Sequence, residues 1–532
     1  MALIERAEGM TVAAALTTCA TMDPGSPFLI FGDGHHTLAE IDQRADALAA
    51  AWAGLGVEPG DRVALLLPPR PEFVIAFFAA SKLGCVVVPL NPRLATPELQ
   101  YILRHSEAVC AVTLEHDEEI DFLQVFEDLM PQLPELQYLV TVGDADLWYD
   151  DRIFQFEDLL SAGAGRDFEA SAIDPDDFFA LLYTSGTSGK PKGVELSHGN
   201  LLSAALGTAD AIRLDSEDRV VGISAFFHVY GLASGLLGSL LTGAAIVLQD
   251  DEDAAATLDA VERHRATVHY GIPGLFVSEL ALLEERARDL ESLRLAVVAG
   301  APVSDELVTR MSEHLGTVVV TGYSLTETAS TVSASRPDDP PEKRRFTVGT
   351  PIEGTEIRIV DPEDPDAELP VESVGEIRVK GPGVMLGYYR QPKQTAEAFD
   401  DAGFFKTGDL GLIDEEGYLH LVGRTKDVII RSGFNVYPRE VEARIESHPA
   451  VHDVAVVGIP DELLGEAICA CVVPVEGAIV TGEEIVEWCR ETLTADKRPD
   501  RVRFFDELPR SDTGQVRRVE LSRSVQSEGQ SA

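Results

Sequence analysis

Lysine is scarce in this chain, with nine in 532 residues. Lys and Arg together number 43 against 90 Asp and Glu, a formal net charge of −47. That deficit argues against nonspecific nucleic-acid binding and against docking on an anionic membrane. It fits adaptation to high salt, where screening removes the repulsion between surface carboxylates. The simpler alternative is an ordinary acidic cytosolic enzyme. Metal-type spacing is missing too. The six cysteines (Cys19, Cys85, Cys110, Cys469, Cys471, Cys489) form no Cys-x-x-Cys, and no His-Glu-x-x-His occurs. Cysteines scattered in this way read as buried thiols in a reducing compartment. No basic segment precedes an apolar run at the N-terminus, so no signal peptide is expected. The longest apolar stretch, 74–90, is broken by Lys82 and Gly84 and is too mixed for a membrane span. The expected location is cytoplasmic. No internal repeat is found.

What is present suffices for a large core, with 45% hydrophobic residues. A length of 532 residues predicts one large domain and at least one other. Strand and helix patterns alternate. Strands are expected at 61–67, 85–88, 108–113, 139–142, 219–224, 245–248, 267–270 and 295–298, and helices at 71–82 and 232–241. Such alternation predicts α/β layers on a parallel sheet. The segment 336–345 reads as a Pro- and charge-rich surface loop, and 356–360 with 375–380 as antiparallel strands. Past 423–427 comes a compact α+β pattern: strands at 428–431, 451–457 and 467–473, helices at 438–447 and 483–493. The tail 525–532 reads as polar and loose.

The segment Leu181-Leu182-Tyr183-Thr184-Ser185-Gly186-Thr187-Ser188-Gly189-Lys190-Pro191-Lys192-Gly193 carries the strongest chemical signal. Its Gly residues let backbone N–H groups approach a polyphosphate, and its hydroxyls add donors and can reach Mg²⁺. It is not a Walker A loop, because Pro191 follows Lys190 where that loop has Ser or Thr. Lys190 reads as a solvent-facing flank and Lys192 as the better phosphate candidate. Four further pieces follow. Val298-Ala299-Gly300-Ala301-Pro302 ends a strand with small residues that admit a flat ring. Thr321-Gly322-Tyr323-Ser324-Leu325-Thr326-Glu327 offers an aromatic for adenine, a hydroxyl for phosphate and a carboxylate for Mg²⁺. Glu327 alone also fits a helix N-terminal carboxylate. Phe405-Lys406-Thr407-Gly408-Asp409 places Asp409 on a turn, suited to accept from two ribose hydroxyls. Arg424 can donate to the same ribose or to phosphate.

In this order, the five pieces resemble the adenylate-forming superfamily: acyl-CoA synthetases, beetle luciferases and peptide-synthetase adenylation domains, with AMP-forming fatty acyl-CoA synthetases the nearest. The resemblance runs from Gly60-Asp61-Arg62-Val63-Ala64 to Arg518. It implies an α/β adenylate-forming fold: a large N-terminal domain of layered α/β subdomains, 1–422, a hinge at 423–426, and a small mobile α+β lid, 427–532. It implies attack of a carboxylate on the α-phosphate of MgATP, then displacement of AMP by the thiol of coenzyme A. By resemblance Thr184, Ser185, Gly186, Thr187, Ser188, Gly189 and Lys192 hold phosphates, and Thr184 and Glu327 bind Mg²⁺. Gly300, Ala301, Pro302 and Tyr323 form the adenine slot, Thr321 and Gly322 are also nucleotide-binding, Thr326 bonds phosphate, and Asp409 and Arg424 clamp the ribose. Lys426 matches the hinge position, and Ser432, Gly433 and Phe434 match the lid hairpin along the pantetheine tunnel.

Phe227, His228, Tyr230 and Ser324 are the acyl-pocket candidates. The run 233–241 is apolar and holds no Arg to pair with a second carboxylate. A fatty or aryl acid is therefore expected. The chain departs from the family at Pro509-Arg510-Ser511-Asp512-Thr513-Gly514-Gln515, where the family ends in Lys. A neutral amide at Gln515 cannot neutralise charge developing at the α-phosphate. Arg517 or Arg498 is a candidate substitute. Two rival readings follow: an adenylation-impaired protein that binds nucleotide and acyl ligands, and an enzyme loading a carrier protein. Monomer and homodimer both remain open.

Overall fold

The alternation builds two large sheets. The computed structural model describes residues 9–145, 147, 150–168, 172–184, 191–223, 225–250, 253–301, 303–362, 364, 367–432, 434–461, 463–510 and 515–529. One sheet of eight strands runs Gly387–Tyr388, Lys192–Ser197, Phe178–Thr184, Val86–Pro89, Arg62–Leu66, Ala108–Leu114, Tyr138–Val142, Ile153–Gln155. Its centre is parallel, with Val63 opposite both Val87 and Cys110. The second, of nine strands, has Val268–Gly271, Leu295–Val298 and Val318–Leu325 parallel in its middle. A single apolar cluster, containing Leu29 of one sheet and Val63 of the other, joins them. Both sheets bury their parallel strands on both faces, which is why those strands read as continuous apolar runs.

The helix Pro71–Leu83 lies inside this cluster, with every residue but Glu72 buried. A helix apolar on nearly every side is stable only there. Its one interior cation, Lys82, is paired with Asp42 at 2.7 Å and Asp46 at 2.6 Å. All six cysteines are buried, and burial pushes the Cys19 and Cys85 thiols up to about 12. No helix among the described residues is long and apolar enough to cross a membrane.

An antiparallel sheet of four strands follows: Glu356–Val360, Gly375–Lys380, Phe405–Ile413 and Leu419–Arg424. The C-terminal unit is an α+β sheet in which Gly465–Pro474 lies between Val451–Asp461 and Ile429–Arg431, with Arg501–Phe504 added in parallel. It buries one apolar cluster on each face. The charge of Arg439 in this unit acts on Asp305 of the large one. Burial raises the Asp305 carboxyl, and Arg345 and Arg439 oppose that rise.

Three expectations are corrected. The segment 336–345 is not simply a loop: Pro341–Phe346 is helical, started by Pro at its first position and held by Lys343 on Asp414 at 2.7 Å. The expected helix 232–241 is a π-helix, Tyr230–Leu237, followed by a short α-helix, Gly238–Thr242. The tail is not loose through 525–529, since Arg518–Gly529 is a helix. Its Leu521 and Val525, one turn apart, are buried against the strand Val451–Asp461.

Candidate active site

The strands Phe178–Thr184 and Lys192–Ser197, on either side of the Gly-rich segment, pair as an antiparallel hairpin. Thr184 pairs with Lys192 and Tyr183 with Gly193, so Thr184 and Lys192 face each other across its neck. Ser185, Gly186, Thr187, Ser188, Gly189 and Lys190 lie outside the described residues. Behind the hairpin, Ser197 caps the helix His198–Ile212 reciprocally with Asn200, at 3.1 and 2.9 Å. Lys192 rests with Nζ 4.5 Å over the ring centre of Tyr388.

The strands Leu295–Val298 and Val318–Leu325 run parallel with Val298 beside Thr321. They bring Gly300 and Ala301, just past one strand end, next to Gly322 and Tyr323; Pro302 lies outside the described residues. Thr321 is spent on the scaffold, its hydroxyl donating to the Thr347 carbonyl at 2.8 Å. Tyr323 is buried, and its hydroxyl donates to Asp409 Oδ2 at 2.6 Å. Asp409 Oδ1 meets Arg424 Nε at 3.0 Å. Burial raises the Asp409 carboxyl above its usual range; Arg424, Tyr323 and Lys426 hold that rise in check.

Asp409 does not sit on a turn, as its neighbours suggested. It belongs to the nine-residue strand Phe405–Ile413, opposite Arg424 in Leu419–Arg424. Gly408 takes a φ of +70° within that strand. This is the local kink expected where glycine interrupts a ladder. The strand lets Asp409 and Arg424 meet as cross-strand partners.

Thr326 and Glu327 form a short 3-10 turn after Leu325. The Glu327 carbonyl accepts from Met385 N at 2.8 Å and its carboxylate from the Tyr388 hydroxyl at 2.9 Å. Just beyond, Ala329 and Ser330 have φ of +55° and +145°. Backbone strain in non-glycine residues concentrates at functional sites. Ser324 is half-buried at an irregularity of the same strand.

Phe227 and His228 precede the π-helix and are half-buried. His228 Nδ1 accepts from Tyr230 N at 3.3 Å, and burial lowers the ring's pKa, so His228 is neutral with Nε2 carrying the proton. Tyr230 is tied to the scaffold, with its hydroxyl donating to the Val297 carbonyl at 2.9 Å. π-Helical turns are common at functional sites. Tyr388, which bridges Glu327 and Lys192, was not among the expected site residues. Its only sequence signal is its place in Gly387-Tyr388-Tyr389, far from both partners.

The hinge and lid candidates come last in the chain. Lys426 is exposed on the turn Thr425–Asp427, near enough to Asp409 to act on its charge. Ser432 is exposed with a φ of +52°, and its N donates to the Leu464 carbonyl. Phe434 pairs with Arg431; Gly433 lies outside the described residues, as do Ser511, Asp512, Thr513 and Gly514. Gln515 adjoins the antiparallel bridge between Arg510 and Val516. Arg498 Nε is committed to the Leu493 carbonyl at 2.9 Å, whereas Arg517 is half-exposed and lies 3.9 Å from Glu520.

The family described as AMP-binding enzyme matches residues 16–389, and its C-terminal domain matches 440–515. Feruloyl-CoA synthase of Amycolatopsis is 36% identical over 505 residues, covering 95% of this chain and 97% of its own. A long-chain-fatty-acid–CoA ligase of Escherichia coli is 33% identical over 506 residues, covering 91% and 89%. The crystal structure of ATP-bound MatB from Rhodopseudomonas palustris aligns with a TM-score of 0.86 at 31% identity, over 97% of this chain and 99% of that one. With the family spanning most of the chain and the fold matched end to end, this protein belongs to the AMP-binding enzyme family of the adenylate-forming superfamily and is an AMP-forming acid–thiol ligase.

Proposed function

We propose that this ligase activates an apolar carboxylic acid, fatty or aryl, and transfers it to coenzyme A. MgATP and coenzyme A are its co-substrates. The observation that carries the reading is Asp409. It is held by Tyr323 and Arg424, one through each oxygen, and a carboxylate has about four acceptor sites. Two remain for the vicinal hydroxyls of a ribose. The base then lies toward Gly300, Ala301 and Tyr323, and the phosphates toward Thr184, Lys192 and Thr326.

Among the described residues no cluster of three or more His, Cys, Asp or Glu could hold a metal by itself. One carboxylate, Glu327, with the Thr184 hydroxyl is instead the sparse oxygen set that suits Mg²⁺, which keeps waters and takes phosphate oxygens. Bound there, the ion offsets negative charge on the phosphates. In the first half-reaction an oxygen of the acid attacks the α-phosphorus, the bond to the β-phosphate oxygen breaks, and pyrophosphate leaves. In the second the sulfur attacks the acyl carbon and AMP departs. Residues 423–426, with Lys426, serve as the hinge between 1–422 and the lid 427–532.

The acid is assigned from the wall beside the nucleotide. Phe227, Tyr230 and the buried run 232–241 are apolar and lack Arg. Feruloyl-CoA synthase and the long-chain ligase bear the names of an aryl and a fatty substrate. Gln515 favours a second reading, in which the first half-reaction is impaired. Acid-dependent ATP–pyrophosphate exchange with short, medium, long and aryl acids tests both, at low and at molar salt. Exchange with one acid class supports the proposal. Silence across the panel, with ATP binding intact, overturns it in favour of the impaired protein.

A further inference from the structure

Glu327 and Lys192 carry opposite charges, yet both contact one side chain between them, that of Tyr388. Its hydroxyl donates to Glu327 Oε1 at 2.9 Å, and its ring lies 4.5 Å beneath Lys192 Nζ. The main chain fixes this residue tightly. Tyr388 pairs with Val194 and Gly387 with Glu195 on the strand that leaves the phosphate segment. Tyr388 N donates to Thr395 Oγ1 at 2.9 Å. Gly387 has a φ of +158°, and a Cβ there would stand 2.7 Å from Thr395 Cγ2, so a side chain at the start of the strand that aims Tyr388 would displace Thr395. Three residues later, Arg390 anchors the same segment to Glu107 at 2.6 Å.

Tyr388 is 9% exposed. Its hydroxyl is the donor in the contact with Glu327, at 2.9 Å. Lys192 meets the ring face rather than the carboxylate. A direct Lys–Glu contact at this place would neutralise the two charges against each other. The aromatic face holds the cation through the ring quadrupole without neutralising its charge, and leaves it available to an arriving phosphate.

We propose that Tyr388 is a positioning residue of the nucleotide site: it aims the Glu327 carboxylate at the metal position and keeps Lys192 beside it without letting the two pair. This rests on the assignment of Glu327 to Mg²⁺ and of Lys192 to phosphate. Tyr388→Phe tests it, since the ring and the Lys192 contact stay and only the hydroxyl is lost. ATP binding is titrated by calorimetry in EDTA and across a magnesium series, and pyrophosphate exchange is followed across the same series.

The expected result for Tyr388→Phe is unchanged ATP affinity in EDTA and a magnesium half-saturation raised about ten- to a hundredfold, as for loss of one hydrogen bond to a charged group. Glu327→Gln is expected to raise it as well, and the double variant no further than Glu327→Gln alone. Tyr388→Leu, which also removes the ring, is expected to weaken ATP binding in EDTA. A wild-type magnesium curve in Tyr388→Phe, beside a shifted one in Glu327→Gln, overturns the proposal alone. Equal loss of binding with and without magnesium in Tyr388→Phe overturns it as well, because that marks a general structural defect. An unshifted curve in Glu327→Gln overturns the metal assignment and the proposal together.

Discussion

Asp409 and Arg424 are register partners on adjacent antiparallel strands, and their side chains meet with Oδ1 and Nε 3.0 Å apart. Asp409 is buried and Arg424 partly open, so the carboxylate depends on the guanidinium more than the reverse. Burial already lifts the Asp409 carboxyl, and Arg424 is the largest influence holding it down. Removing Arg424 therefore moves the ionisation of Asp409 to higher pH.

Ribose hydroxyls donate to the ionised carboxylate, so nucleotide affinity falls as pH drops through the Asp409 titration. In Arg424→Met that fall is expected to begin at higher pH than in the wild type, read from AMP dissociation constants by calorimetry from pH 5.5 to 8.5. Asp409→Asn is expected to lose about ten- to a hundredfold in affinity and to show no such pH dependence. Parallel profiles for wild type and Arg424→Met would sink the ribose assignment.

Gln515 and Arg517 are two residues apart in a segment closed by the Arg510–Val516 bridge and by Arg517 N donating to the Pro509 carbonyl at 2.8 Å. In extended chain such residues share a face, while Val516 packs on the apolar cluster opposite. Gln515→Lys is expected to raise pyrophosphate exchange about tenfold or more, because a cation on that face offsets charge at the α-phosphate. Arg517→Gln in the otherwise wild-type chain is expected to lower it. No rise in Gln515→Lys together with a fall in Arg517→Gln would mean that Arg517 has taken over the charge.

How much of this was legible in the chain depends on how local each signal is. The helix Pro71–Leu83 was readable because an apolar run ends at a glycine, and both signals lie within a few residues. The parallel strands were readable because burial on two faces makes them continuously apolar. Asp409 was misplaced because Thr407-Gly408-Asp409 has turn composition, and only the pairing with Leu419–Arg424 keeps it in a strand. The last helix was missed because two apolar side chains, Leu521 and Val525, define its buried face among polar ones. Tyr388 was invisible because its role comes from Glu327, 61 positions away, and from Lys192 on another strand.

His198 supplies a pH test of the fold apart from catalysis. It is buried, stacked on Phe179 with ring centres 4.2 Å apart, and its Nδ1 accepts from Val12 N at 3.3 Å. Burial lowers its pKa from 6.5 to about 4. The folded state thus binds fewer protons than the unfolded one between these values. Its contribution is present above pH 6.5, declines as pH falls through that window, and is lost below about 4, with a span of roughly 3 kcal/mol. His198→Gln is expected to flatten this part of the pH dependence, measured as the difference in urea unfolding free energy between variant and wild type at pH 7.5, 6, 5 and 4.5. An identical slope in both proteins would show that His198 is protonated at no cost.

Salt tests the balance of surface charge. Exposed ion pairs such as Arg213–Asp338, with side chains 62% and 60% exposed, contribute about 0–1 kcal/mol each and weaken as salt rises. Repulsion among the unpaired carboxylates weakens at the same time. With 90 acidic residues against 43 basic ones, repulsive pairs outnumber attractive ones, so relief of repulsion wins. The Debye length shrinks from about 10 Å at 0.1 M to about 3 Å at 1 M, which spans the range where most of that relief occurs. The thermal midpoint is expected to climb steadily from 0.05 to 1 M KCl and to level off above it. A midpoint that is flat, or that falls as the ion pairs are screened, would show that the acidic surface is not an adaptation to salt.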